Sequence, residues 1–228
     1  MSTTSRSGKA LRILAIILFG FASVVMLLGG IGTSCAAWAP QAFGSMAVLA
    51  QMQWLYITVS ILTTALGVWG IYLTVALARG KGGSYRSALI MLLIGLVAAG
   101  AQMLASEALR GKSAPNNMRV YITLFTLVVL LLLRLPAVWK RMGFESGGGS
   151  GSAMAPTGAA MLVMGLVMLS VQYWAAAGHW IDGVNYADVW HTRLLIAGGL
   201  TTACGLALLV LRGVGREAIT DRFLAASN

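Results

Sequence analysis

Six long apolar runs alternate with short polar segments along this chain. Each run has about 20 residues, enough for a helix rising 1.5 Å per residue to cross roughly 30 Å of hydrocarbon. Ten-residue segments of alternating polarity, typical of membrane barrels, do not occur, so helices are the expected spanning form. The pattern predicts an all-α integral membrane protein whose six transmembrane helices cover residues 10–32, 54–78, 87–106, 120–138, 157–177 and 194–211.

Composition agrees with a lipid environment. Hydrophobic residues make up 58% of the chain and charged residues only 10%, whereas soluble proteins carry about 25% charged residues. A water-exposed surface could not be built from this chain, and the lipid bilayer is its expected partner. The formal charge of +10 does not indicate nucleic-acid binding, because the basic residues flank the apolar runs rather than forming a patch.

The basic residues predict the orientation, because cytoplasmic loops of membrane proteins are enriched in Lys and Arg. With both termini in the cytoplasm, twelve of the 16 basic residues lie inside. We expect a multi-pass protein of the cell membrane, namely the inner or plasma membrane of a prokaryote. The four basic residues on the predicted outer side are Arg110, Lys112, Arg119 and Arg193.

Loop composition divides the chain into two parts. Residues 143–155 read GFESGGGSGSAMA, which predicts a flexible cytoplasmic linker. It separates a four-helix part, residues 1–142, from a two-helix part, residues 156–228. The predicted outer loop 33–53 is mostly apolar, and it is expected to lie in the interface or to re-enter the membrane.

Uncharged polar residues concentrate in the outer third of the predicted helices. Amides buried in a membrane need partners, so these side chains should face the bundle interior. Two interpretations remain open: the residues bond one another as structural links, or they line an outward-facing pocket for a small ligand. The candidate ligand-binding residues, with two aromatic neighbours, are Gln53, Gln102, Ser106, Gln172, Trp54 and Trp174.

The last predicted outer loop has mirrored ends, H-W-x-D and D-x-W-H. In helical turns, each His and Asp three residues apart would share a face, and the loop could fold to bring both pairs together. Imidazole and carboxylate ligands suit zinc or a similar divalent ion. The candidate metal ligands are His179, Asp182, Asp188 and His191; the alternative is an interfacial loop with its tryptophans on the lipid headgroups.

Several chemistries are disfavoured by what the spans contain. No acidic residue is expected at mid-membrane, which argues against a proton- or sodium-coupled pump. Haem and chlorophyll usually need a histidine ligand, and the two histidines are both expected in the last outer loop. The spans therefore offer no embedded histidine for haem or chlorophyll, and the identity of any cofactor stays open.

Small residues recur at helical spacing on the fifth and sixth predicted helices, with Gly158 and Gly165 on one and Gly198 and Gly205 on the other. Glycines at such spacing let membrane helices approach closely. Such faces are most often ordinary helix packing, and several of them across six helices also fit contact with partner subunits, lipid or pigment.

Three functions remain open, and the first is favoured. The chain would be a non-catalytic accessory or scaffold subunit of a larger membrane complex, packing against partner helices, lipid or pigment. Alternatively, its six helices, inside termini and long loop after the first helix resemble, in topology, the vitamin-capturing subunits of energy-coupling-factor transporters. That resemblance implies a substrate-binding component with an outward-facing pocket. The third interpretation is a membrane enzyme with a metal at its outer face.

Overall fold

A computed structural model describes residues 6–142, 150–175, 180–181 and 183–226. It is about 90% helical and contains six helices long and apolar enough to span a membrane. The predicted all-α, six-span fold is thereby confirmed. These spans are Ser7–Trp38, Gly44–Ala78, Ser84–Arg110, Asn116–Leu133, Met154–Tyr173 and Tyr186–Leu211.

The described residues form eight α-helices, two 3₁₀ segments and two short strands. Two antiparallel strands of two residues each precede the last helix. Trp180 pairs with Asn185, and Ile181 pairs with Val184. In chain order the elements are α1 (Arg6–Gly32), α2 (Ser34–Trp38), two 3₁₀ segments (Pro40–Ala42 and Gly44–Met52), α3 (Gln53–Ala78), α4 (Ser84–Arg110), α5 (Asn116–Leu133), α6 (Pro136–Met142), α7 (Ser150–Ala175), β1 (Trp180–Ile181), β2 (Val184–Asn185) and α8 (Tyr186–Ala226).

Several helix ends differ from the sequence prediction, and three of them change the connections between helices. The fourth span ends at Leu133 rather than at residue 138, and α6 begins at Pro136, since proline lacks the amide hydrogen that would continue the helix. Helix α7 begins at Ser150, inside the segment predicted as a linker, while residues 143–149 lie outside the described part. Helix α8 begins at Tyr186, where a loop was expected.

The segment 33–53 folds back over the ends of α3 and α4. Its helix α2 packs on α3, and its second 3₁₀ segment packs on α3 and α4. Four alanine and leucine side chains form a small apolar cluster with Tyr56. We call this the cap cluster; its buried members are Ala36, Ala37, Leu49, Tyr56 and Ala105.

The main core lies among α1, α3, α4 and α5, with α7 packed on α1 and α3. Phe19 and Met26 of α1 and Leu92 of α4 are fully buried in it. Helices α1 and α3 approach so closely that a Cβ added to Gly67 would lie 2.5 Å from the Cα of Leu27. Glycine is therefore required at that contact.

Helices α7 and α8 form a second closely packed pair. A Cβ on Gly165 would lie 2.8 Å from the Gly198 carbonyl oxygen, and one on Gly205 would lie 2.8 Å from the Gly158 carbonyl oxygen. The glycine stripe thus serves the α7–α8 contact. Only 11% of the most apolar eighteen residues of α8 are buried, against 44% in α4, so α8 lies at the edge of the molecule.

Candidate functional site

Arg119 lies in the first turn of α5, at the helix ends that we predict to be outer. We expected it to flank the span on the membrane surface. The structure instead buries its side chain, leaving only 3% exposed. An ionisable residue within a membrane bundle is costly and usually functional, so Arg119 defines the candidate site.

Four helices supply the surroundings of this guanidinium. Its Nη2 donates to Gln102 Oε1 on α4, and its Nη1 donates to Thr63 Oγ1 on α3 at 3.4 Å. From α1, Gly29 faces the side chain, and a Cβ there would lie 3.0 Å from Arg119 Cδ. Gly29 has no side chain, and this is what leaves room for the arginine. We call Arg119, Gln102 and Thr63 the arginine cluster.

The arginine cluster has more donors than acceptors. Arg119 Nε and Gln102 Nε2 are buried with no hydrogen-bond partner. Thr63 Oγ1 already donates to the Val59 carbonyl at 2.7 Å, so it can only accept from the arginine. At least two N–H groups therefore point into the bundle without an acceptor, and each unmade bond costs about 1–3 kcal/mol.

No carboxylate among the described side chains balances this charge. Of the two acidic side chains described, Glu107 is exposed, and Asp188 accepts a hydrogen bond from Gln172 at the end of the α7–α8 pair. A buried guanidinium with unused N–H donors has the chemistry to bind an anionic group through charge-assisted hydrogen bonds.

Two hydroxyls continue the polar face of α5 beyond the arginine cluster. Thr123 and Thr126 are buried one and two turns after Arg119, and their Oγ1 atoms have no partner. Membrane threonines usually bond the carbonyl one turn earlier, as Thr74 does to Gly70 at 2.8 Å. The spacing of residues 119, 123 and 126 marks one helical face, and this signal could have revealed the buried arginine from the sequence.

Two of the predicted ligand-binding residues belong to this region. Gln102 and Ser106, one turn apart on α4, are fully buried. Ser106 Oγ donates to the Lys112 carbonyl at 2.8 Å and lies beside the Tyr56 hydroxyl. As ligand-binding residues both stay predictions, but their burial in the bundle agrees with the reason for choosing them.

The other candidates lie elsewhere. Gln53 Nε2 donates to the Ala37 carbonyl at 3.1 Å, which ties α3 to α2, and Trp54 is 68% exposed. Gln172 belongs to the α7–α8 pair through its bond to Asp188. The Trp174 side chain lies outside the described part of the structure. Neither pocket found in the described part of the structure is lined by any of the other five residues.

The structure describes only two of the four predicted metal ligands. His179 and Asp182 lie outside the described residues. Asp188 and His191 lie one turn apart near the start of α8, rather than in a loop. Among the described side chains, no three His, Cys, Asp or Glu residues come together. The metal site stays a prediction.

A groove of about 460 Å³ runs between α1 and α3 beside the arginine cluster. Gly30, Ser60 and Thr64 line it nearest the cluster, and Ser60 Oγ donates to the Gly30 carbonyl at 2.8 Å. We call it the α1–α3 groove; its remaining lining residues are Ile31, Ser34, Trp38, Ile61 and Ala65.

Comparison with known proteins adds no further assignment. The chain matches no protein family model, no curated protein and no solved structure. Its function must therefore be argued from its own residues.

Proposed function

We propose that this chain is the substrate-binding membrane component of a transport system, and that Arg119 binds the anionic group of the substrate. One observation carries the proposal: a guanidinium that is 3% exposed and has no carboxylate partner among the described side chains. Proteins retain such a buried charge where it binds a ligand, because an uncompensated ion destabilises the fold.

The surroundings of Arg119 favour binding rather than catalysis. Catalysis of acyl or proton transfer needs a nucleophile or base within hydrogen-bond reach of the reacting atom. The arginine cluster offers N–H donors and one threonine hydroxyl that bonds its own helix. Donors of this kind fit an anion and orient it.

The proposal places the substrate at the face that we predict to be outer. Arg119 begins the fourth span, and Gln102 lies in the last third of the third span, on the same side of the molecule. With the N-terminus in the cytoplasm of a prokaryotic cell, this side faces away from the cytoplasm.

One double variant distinguishes a ligand-binding role of Arg119 from a structural role. Arg119→Met together with Gln102→Leu replaces the two long polar side chains of the arginine cluster by apolar groups of similar size and leaves Thr63, which already bonds the Val59 carbonyl. Such a replacement of buried charged or polar partners is often neutral or stabilising. We expect the melting temperature of the purified, ligand-free double variant in detergent to equal or exceed that of the wild type.

Native mass spectrometry supplies the binding readout. We expect wild-type protein, extracted in mild detergent, to carry a negatively charged small molecule that the double variant lacks. Arg110→Met is the matched control, because Arg110 ends α4 on the same side and is only half-buried. A double variant that melts far below the wild type, or one that keeps the bound molecule, would refute the binding role.

A second candidate function is an accessory subunit of a membrane complex, and α8 favours it. Its outward face carries adjacent small residues, Ala203, Cys204 and Ala207, all exposed. Small residues on a membrane helix suit close contact with another helix. Ala203→Trp should then release a partner that co-purifies with the wild type, with an unchanged melting temperature of the isolated chain. Retention of that partner by Ala203→Trp would argue against docking through α8.

A further inference from the structure

We propose that Arg119 and Gln102 together bind a single-atom monovalent anion, a halide such as chloride, wholly inside the arginine cluster. The halide accepts hydrogen bonds from Arg119 Nε and Gln102 Nε2. This inference rests on the proposed function, since it names the class of substrate that the same arginine binds.

The charge of the arginine cluster matches one monovalent anion. Arg119 is the single cation of the cluster, and Gln102 and Thr63 are neutral. One halide ion neutralises the guanidinium, whereas a divalent anion such as sulfate would leave an uncompensated negative charge in the bundle. The cluster therefore favours a monovalent ion over a divalent one.

Two unpaired nitrogens supply the donors for the ion. Arg119 Nε and Gln102 Nε2 are buried and have no hydrogen-bond partner. Gln102 Oε1 accepts from Arg119 Nη2, so the amide group that carries Nε2 lies directly against the guanidinium. The N–H of Nε and one N–H of Nη2 project from the same edge of that planar group. Arg119 Nε and Gln102 Nε2 can therefore both donate to one acceptor atom beside this edge.

The existing hydrogen bonds of Arg119 favour a single-atom acceptor over a carboxylate. A carboxylate usually binds arginine through two parallel hydrogen bonds, and each pair of nitrogens that can make them includes Nη2. Nη2 already donates to Gln102 Oε1, and Nη1 donates to Thr63 Oγ1 at 3.4 Å. A carboxylate would have to compete with Gln102 for Nη2, whereas a halide at Nε leaves both hydrogen bonds in place.

Close packing around Arg119 limits the size of the ligand. A Cβ on Gly29 would lie 3.0 Å from Arg119 Cδ, and a Cβ on Gly30 would lie 2.9 Å from Thr63 Oγ1. Organic ligands occupy sites of roughly 300 to 1,000 Å³. The α1–α3 groove, and a second depression of about 280 Å³ between α1 and α5, are lined by residues other than Arg119, Gln102 and Thr63. Neither depression therefore gives an organic substrate a place beside the guanidinium.

Equilibrium dialysis with radioactive chloride measures the binding directly. The sample is the full chain in a non-ionic detergent, with gluconate as the only other anion. We expect binding that saturates at one chloride per chain and is displaced by bromide, while acetate and sulfate bind at least about tenfold more weakly. The double variant Arg119→Met with Gln102→Leu should lose this binding. Arg110→Met, on the same side of the molecule and only half-buried in the wild type, should keep it.

Gln102→Glu tests the charge pairing without removing the guanidinium. The carboxylate has nearly the shape of the amide, neutralises Arg119 from within the bundle and takes away the Nε2 donor. We expect this variant to bind chloride at least about tenfold more weakly and to melt at a higher temperature than the wild type in gluconate. Chloride should raise the melting temperature of the wild type and of Arg110→Met, but not that of Gln102→Glu. Chloride binding by Gln102→Glu as tight as that of the wild type would overturn the assignment.

Three further outcomes separate this inference from the proposed function. If acetate, or an organic anion that co-purifies with the chain, binds as tightly as chloride and needs Arg119, the halide is wrong while anion binding stands. If no anion depends on Arg119 in dialysis or in native mass spectrometry, both fail. Chloride binding that survives in the double variant would place the ion elsewhere and overturn the halide site, even if Gln102→Glu does not fold.

Discussion

The four helices around Arg119 and the α7–α8 pair use close packing for different ends. In the first region, Gly67 and Gly30 let α1 and α3 contact each other closely. Gly29, the residue before Gly30, has no side chain, and the side chain of Arg119 packs against it. In the second region, the glycines of α7 and α8 face each other's backbones and hold only that pair together. Close packing surrounds the candidate site in the first region, whereas in the second region it only joins two helices.

Buried polar atoms without a hydrogen-bond partner occur in both regions. The four-helix region contains such atoms of Arg119, Gln102, Thr123 and Thr126, and the α7–α8 pair contains Thr202 Oγ1 and Gln172 Oε1. Arg119 is the one charged residue among these six. Because an unpaired buried charge costs more than an unpaired neutral group, we expect ligand binding in the four-helix region and a partner contact at the exposed face of α8.

The largest effect should come from Gly67→Leu, which tests whether α1 and α3 must touch. Its Cβ would meet the Leu27 backbone at 2.5 Å, and backbone atoms cannot move aside without separating the helices. We expect a loss of about 3 kcal/mol or more in the free energy of unfolding, and failure to purify as a monodisperse protein. Gly100→Leu is the control, because a Cβ there meets open space; an equal loss in both variants would contradict this packing.

A smaller effect is expected from Gly165→Leu in the other region. Its Cβ would lie 2.6 Å from the Thr202 amide nitrogen, so α8 must shift away from α7. Because α8 packs chiefly on α7, we expect a loss of about 1–3 kcal/mol, seen as a lower melting temperature in detergent with Arg119-dependent binding retained.

Two control substitutions sharpen that comparison. Gly199→Leu, next to the packed Gly198 but facing open space, should leave the melting temperature unchanged, and so should Thr201→Val. A melting temperature of Gly165→Leu equal to that of the wild type would show that the α7–α8 glycines are not in close contact.

The smallest effect on stability is expected from a cysteine substitution that tests on which side of the membrane the segment between α6 and α7 lies. A cysteine at position 148, in a chain with Cys35→Ala and Cys204→Ala, should leave stability unchanged. We expect a membrane-impermeant maleimide added to intact cells not to label it, since the distribution of basic residues predicts a cytoplasmic position for that segment. Labelling from outside would invert the topology and move Arg119 to the cytoplasmic half.

Local properties of the chain were sufficient for the spans and for much of their packing. Hydrophobic run length determines whether a helix can cross a bilayer, and this depends on composition alone. Glycines at helical spacing on the fifth and sixth spans predicted close-packing faces, but the sequence did not show that these two faces contact each other, as α7 and α8 do. Helix ends were less certain at Pro136 and Tyr186, where turn geometry competes with hydropathy.

The burial of Arg119 and its hydrogen bonds within the arginine cluster depend on tertiary structure. In the sequence, Arg119 shares one helical face with Thr123 and Thr126, but that segment alone does not determine whether the arginine turns toward water or into the bundle. Its burial depends on Gly29 of α1, Thr63 of α3 and Gln102 of α4, which lie 17 to 90 positions away in the chain. Hydropathy is a property of one segment, but the space that accepts a guanidinium exists only after four helices have packed together.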